Sequence, residues 1–448
     1  MLSGYIALMN GAETPQTKLR LWVTTALAHT TCFLDDFRAD ALATPAQKRG
    51  YIFAAFSASL VAIALGRFAY TPLLPKMIGA HWFAADDLVN LSNASLIGYL
   101  LGALLGRKLA CIFGNTPVLR AMGSLATMAL AACAFPVSVT WFFVWQTLTG
   151  LAGGVTVVLV AATVLPRFPA GERGRVSGMI FLGLGAGVVI SGTLLPVLLR
   201  YGLRATWLGI AAVCALLNIS AWKMWPVAQR PPTLSTLLHT VGNRVSIRML
   251  ALMHTQFALV AVGVTPAMLF LSDFVARRFP HEANSSLTWA AYGVGSLLGP
   301  MIYGNALDHV KARWVLRAVL TVEAAAAIVL VFLNGLVAVS VLALVIGTFI
   351  SGVIPIVQGW IRESVPGDQR QQNVIWSQST VVYAGTSALS GYVFTRMITA
   401  GGQSYGSVFF TGGVALALAL FINLLDEFLH VSRPKEKAAI GESLRVVS

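Results

Sequence analysis

Arg67 lies near the middle of an apolar run from Tyr51 to Ile78 that is long enough to cross a bilayer as a helix. A guanidinium stays charged in such a place, so it needs a protein partner or an aqueous cavity. Its fixed fork of donors suits a carboxylate, which it grips through two parallel hydrogen bonds. Tyr70 follows three residues later on nearly the same helical face and can donate to the same ligand. The competing reading is an Arg67 permanently paired, or satisfied by backbone carbonyls. Further polar side chains interrupt apolar runs at Gln146, His254, Gln256, Gln358, Gln378 and Tyr383. An imidazole titrates near neutral pH, so His254 is either a proton carrier or a hydrogen-bonded packing residue. Glu323 also falls mid-run, where exposing its charge to lipid is too costly. It is protonated, paired with a neighbouring helix, or part of a proton route.

Such groups require helices that hold them inside a membrane, and the composition supplies them. The 448 residues are 57% hydrophobic and 11% charged, with a mean hydropathy of +0.76, whereas roughly a quarter of an ordinary soluble domain is charged. Twelve apolar spans recur, at 50–78, 89–108, 117–136, 139–165, 175–199, 203–226, 246–275, 286–308, 314–334, 336–361, 372–398 and 405–429. Each can satisfy its own backbone as a helix, and their many glycines suit close helix packing. The fold class expected is an all-α integral membrane protein. Pro72 and Pro75 should bend the first span near its outer end, and Pro266 should give the seventh a matching irregularity.

The formal charge of +14 would suit nucleic-acid binding if it were gathered on one soluble face. It is instead spread over loops with a bias. With both termini in the cytoplasm, the inner loops carry Arg107, Lys108, Arg120, Arg167, Arg173, Arg175, Lys223, Arg230, Arg244, Arg248, Lys311, Arg313, Arg317, Arg362 and Arg370, and the outer loops far fewer. No nucleic-acid partner is expected; membrane lipids are. Cys32, Cys111, Cys133 and Cys214 show neither metal-ligand spacing nor an evident pairing, so neither a disulfide nor a metal site is expected. No cofactor motif or catalytic constellation occurs in a suitable context, which argues against an enzyme and against direct ATP drive. Trp82, Trp141, Trp207, Trp222 and Trp225 fall near span ends, where an amphipathic ring suits the membrane interface.

Halving the chain aligns features at nearly constant offsets of roughly 194 to 199 residues. Thr71-Pro72 matches Thr265-Pro266, Gly98 to Gly102 matches Gly295 to Gly299, Gly153-Gly154-Val155 matches Ser351-Gly352-Val353, and Ser191-Gly192 matches Ser390-Gly391. The expected organisation is a cytoplasmic segment 1–48, a six-helix bundle 49–226, a cytoplasmic linker 227–245, a second six-helix bundle 246–430 and a cytoplasmic tail 431–448. An even number of helices per half keeps both halves in one orientation, so two bundles can rock around a central site. Arg67 aligns with Ala261, which makes the cation a feature of one half alone.

The stretch Gly66-Arg67-Phe68-Ala69-Tyr70-Thr71-Pro72-Leu73-Leu74-Pro75 resembles the first-helix motif of the major facilitator superfamily's bacterial YbfB/YjiJ group. The resemblance covers nearly all of 50–430. It implies a twelve-helix transporter in a bacterial cytoplasmic membrane, with helices one, four, seven and ten facing the cavity. Gln146, His254, Gln256 and Gln358 then become solute-contact candidates beside Arg67 and Tyr70, with Gln378 and Tyr383 from helix eleven. Gly304 to Asp308 keeps the spacing of the superfamily's loop motif, so the resemblance implies that Asp308 braces a cytoplasmic gate; an ordinary solvated helix end is the alternative. Gln146 stands where proton-coupled relatives often carry an Arg, and Val188 replaces the proline of the antiporter motif. The leading expectation is a monomeric secondary transporter of a small organic solute, with a preference for anions drawn from Arg67 and proton coupling through His254 or Glu323. An exporter of hydrophobic or cationic compounds and a non-transporting membrane sensor are the alternatives.

Overall fold

The structure is a computed structural model that describes residues 43–84, 87, 91, 93–226, 247–279, 285–399 and 405–431. Expectations for residues 1–42, the linker 227–245 and the tail beyond Val431 lie outside the described residues. Among the described residues twelve long helices follow in chain order. The first, α1, runs through Pro45–Ala58, Ser59–Leu65, Gly66–Phe68 and Tyr70–Gly79. The others are α2 (Ala94–Phe113), α3 (Asn115–Ala132), α4 (Val139–Val164), α5 (Arg173–Leu198), α6 (Leu203–Ala221), α7 (Ile247–Arg278), α8 (Ser285–Ala306), α9 (Ala312–Phe332), α10 (Leu336–Ser364), α11 (Gln369–Thr399) and α12 (Tyr405–Val431). Among the described residues nine helices are long and apolar enough to cross a membrane; α3, α8 and α11 fall outside that set.

Local signals place several helix ends. Thr44 and Gln47 form a reciprocal capping box at the start of α1, and Ser138 caps α4 by accepting from the Trp141 N–H. Gly114 and Gly202, at φ 84° and 94°, make the turns into α3 and α6 that a side chain would strain.

Within α1 the interruptions differ from the expected proline bend. Ser59–Leu65 is a π segment, and the bend falls at Ala69 rather than at Pro72 itself. Pro72 offers no N–H to the Phe68 carbonyl, so the irregularity appears one turn earlier. Pro266, by contrast, lies inside an uninterrupted α7.

Helix contacts repeat between the first six and the last six helices. A methyl built on Gly98 would lie 1.9 Å from the Thr147 carbonyl oxygen, and one on Gly295 would lie 1.8 Å from that of Leu344. The glycine pattern found in the sequence is therefore a seam where α2 meets α4 and α8 meets α10 with backbones in contact. Across the two sets, α5 packs on α8 and α2 on α11. Two expectations are corrected. Trp207 is fully buried beside Phe142, and Trp225 is also buried, so neither ring faces lipid or solvent. Cys111 is disulfide-bonded, whereas Cys133 and Cys214 are buried free thiols.

Candidate functional site

A π segment inserts one extra residue per turn and so shifts the face on which later side chains emerge. Immediately after it, Arg67 points into a cavity between the first and the last six helices. The walls are Phe68 of α1, Tyr99 of α2, Val157 of α4, Leu184 of α5, Phe257 of α7, Val353 of α10, and Trp376, Thr380 and Tyr383 of α11. The Arg67 guanidinium carbon stands 4.8 Å from the centre of the Tyr99 ring and 5.9 Å from that of Phe68, within reach of the ring quadrupoles. Tyr383 packs on Phe257 with ring centroids 5.0 Å apart.

Arg67 Nε and Nη2 are buried without a hydrogen-bond partner. No ion pair among the described residues involves Arg67. Unmet buried donors on a charged group cost more than the roughly 1–3 kcal/mol of a neutral one, so the arrangement favours any anion able to enter. The cavity holds about 30 Å³ in this closed arrangement, no more than a water or two. A larger guest requires the walls to part.

Of the other solute-contact candidates, Tyr383 shares this cavity and the remainder lie elsewhere. The bend at Ala69 breaks the helical register between Arg67 and Tyr70, which packs in a separate cluster 6.5 Å from the Phe142 ring. Gln146 joins that cluster, its Nε2 3.5 Å from Cys133 Sγ. Gln256 accepts from Asn423 Nδ2 at 2.9 Å and so faces α12. His254 and Gln378 line a groove on the flank of the bundle. Gln358 accepts from Ser177 Oγ at 2.7 Å and lines a second cavity with Arg173 and Arg362. Glu323 is buried in α9 and accepts from Thr348 of α10 at 3.1 Å. Tyr99 and Trp376 were not among the candidates. Tyr99 had a signal, since it lies inside the repeated glycine pair where the second half has Ser296.

The model of the family described as "Uncharacterised MFS-type transporter YbfB" matches residues 59–424. The chain belongs to this family. The transporter matches no curated protein. Among solved structures it is similar to the human organic anion transporter MFSD10 (TETRAN), with a TM-score of 0.63 and 16% identity over 85% of this chain and all of the other. At that identity the likeness speaks for the fold alone.

Hydrogen bonds join the two sets of helices at both ends of the transporter's central cavity. Towards the end that carries Arg173, Arg362 and Asp308, here termed the basic face, Trp376 stands in the wall of both inter-half cavities. Its Nε1 donates to the Val157 carbonyl at 3.1 Å, linking α11 to α4. Below it Arg173 donates to Gln369 Oε1 at 3.2 Å, and the Asp308 carboxylate accepts from the Arg175 N–H at 3.2 Å at the start of α5. On the opposite face Trp289 Nε1 donates to Ser191 Oγ at 3.1 Å and Asn93 Nδ2 to Thr395 Oγ1 at 3.4 Å.

Proposed function

We propose that this transporter carries a small organic anion with an apolar or aromatic body, by alternating access between two six-helix lobes, 49–226 and 246–430. The observation that carries the reading is Arg67: a cation with no ion pair among the described residues, lining a cavity with Tyr99, Tyr383, Phe257 and Trp376 between the two sets of helices. A carboxylate would meet the free donors, while the rings would pack on the rest of the solute. The bias of basic residues towards the basic face supports a cytoplasmic orientation for that face and for both termini, in a bacterial inner membrane. The reading is of a monomer. Glu323 supplies a titratable group for proton coupling.

Thermal stabilisation of the purified transporter by simple aromatic carboxylates tests the site. Wild-type protein should gain several degrees, and Arg67→Ala should bind at least about tenfold more weakly, the loss of one charge-assisted bond. Stabilisation by cationic amphiphiles alone, unchanged in Arg67→Ala, would replace this reading with the exporter of hydrophobic or cationic compounds. Absence of solute flux in proteoliposomes would leave the membrane sensor.

A further inference from the structure

Between Trp376 and the basic face lies the second inter-half cavity, of about 30 Å³. Each set of helices contributes an arginine to it: Arg173 opens α5, and Arg362 lies in the last turn of α10. No acidic side chain lines it, and its other polar walls are the amides of Gln358, Gln369, Gln372 and Asn373. Arg362 Nη1 is buried without a hydrogen-bond partner. Arg173 acts on Arg362 as a like charge, and Asp308 and Glu363 act on it as opposite ones. Both acids are committed to backbone, Asp308 accepting from the Arg175 N–H at 3.2 Å and Glu363 from the Ala312 N–H at 2.8 Å. Neither arginine has an ion pair among the described residues.

We propose that this cavity is a second anion station, where the carboxylate of the transported solute pauses between Arg67 and the basic face, bridging Arg362 and Arg173. The station takes its cargo from the reading of Arg67 above. Two guanidiniums in one small cavity repel each other until an anion stands between them, and a carboxylate has an oxygen for each fork. Arg173 holds the Phe168 carbonyl with Nε at 3.1 Å and Gln369 with Nη1 at 3.2 Å, which leaves Nη2 for the anion. The Gln358 amide oxygen is taken by Ser177 at 2.7 Å, which leaves its NH2 to donate. Gln372 Oε1 is buried and unmet, an acceptor that a water carried with the anion would serve. Trp376 stands in the wall of both inter-half cavities, so its ring is the partition between the two stations. As in the central cavity, the walls must part to admit the body of the solute. Because the two arginines come from opposite lobes, opening at the basic face draws them apart and releases the carboxylate.

The test is benzoate titration of the purified full chain, read by thermal unfolding, in the Arg67→Ala background that disables the central site. Arg67→Ala should still be stabilised, at higher benzoate concentrations than wild-type protein needs. Adding Arg362→Gln or, separately, Arg173→Gln should weaken that residual binding about tenfold, the equivalent of one lost charge-assisted contact. Arg362→Lys, which keeps the charge, should weaken it less. Absence of residual binding, or residual binding equal in Arg67→Ala and in both arginine variants built on it, would overturn the station and leave the central site standing. Equal stabilisation of Arg67→Ala by sulfate would overturn it too, by showing a site for inorganic anions. Failure of the Arg67 reading looks different: benzoate would bind wild-type protein and Arg67→Ala equally, and the station would lose its cargo with it.

Discussion

Arg67 and Arg317 show the same side chain buried in two ways. Arg317 of α9 forms an ion pair with Glu427, and its Nε and Nη2 donate to the side chain and carbonyl of Asn423 at 2.7 and 3.3 Å. Every nitrogen is used, which makes it a fastener between α9 and α12. Arg67 keeps two nitrogens without partners. Glu323 belongs with Arg67: Thr348 donates to it, Tyr303 Oη lies 2.6 Å from Thr348 Oγ1, and no cation among the described residues pairs with it. If Glu323 carries the coupled proton, an imposed pH gradient should drive solute flux in proteoliposomes of wild-type protein, and Glu323→Gln should lose most of that response while keeping exchange without a gradient. An unchanged response in Glu323→Gln would remove it from the coupling route. The charges at Arg67 and Glu323 were legible in the sequence because each interrupts an apolar run. The directions of Tyr70, Gln146 and Gln256 were not, since side-chain direction depends on helix phase, and in α1 the bend at Ala69 changes that phase with little compositional trace.

At the scale of elements, the helices were legible because a lipid-embedded backbone must satisfy itself within each apolar run. The π segment Ser59–Leu65 was not, because its residues, Ser-Leu-Val-Ala-Ile-Ala-Leu, would suit an α-helix equally well. The repeated glycines were visible as a pattern, and the structure adds their reason. Gly98 and Gly102 bring α2 against the backbone of α4, with the Thr147 and Leu151 carbonyl oxygens 1.9 and 2.2 Å from where a methyl would stand. Gly98→Ala must push the two helices apart, so it should destabilise the transporter by about 1–3 kcal/mol, read as a lower unfolding temperature in detergent. Gly385 of α11 has only Leu100 Cδ1 nearby, at 3.7 Å from the corresponding point. Gly385→Ala should leave stability unchanged or slightly raise it, since alanine favours helix by up to about 1 kcal/mol. Equal losses in the two variants would show that the seam is not the reason for these glycines.

For the whole molecule, the duplicated pattern was legible because the same glycine seam is used twice, once in each set of six helices. The closed state was not. The contacts that close the central cavity, Ser177 with Gln358 and Trp376 with Val157, join residues that no repeat relates, and each partner alone reads as an ordinary helix residue. Those contacts define what must break for access from the basic face. Asp308→Asn keeps an oxygen for the Arg175 N–H but removes the negative charge from the start of α5, worth about 1 kcal/mol at a helix N-terminus. Trp376→Phe keeps a ring and removes the donor to the Val157 carbonyl, worth about another 1 kcal/mol. Together these shift the ratio of open to closed molecules by roughly thirtyfold, because each 1.4 kcal/mol is a factor of ten. A hydrophilic maleimide reports the shift through Ser177→Cys, at a position fully buried in the closed state. Alkylation should quicken severalfold in each single variant and more in the double, with the unlabelled fraction recovering when an aromatic carboxylate holds the lobes together. Rates that stay at the level of Ser177→Cys alone would mean that access from this face is controlled elsewhere.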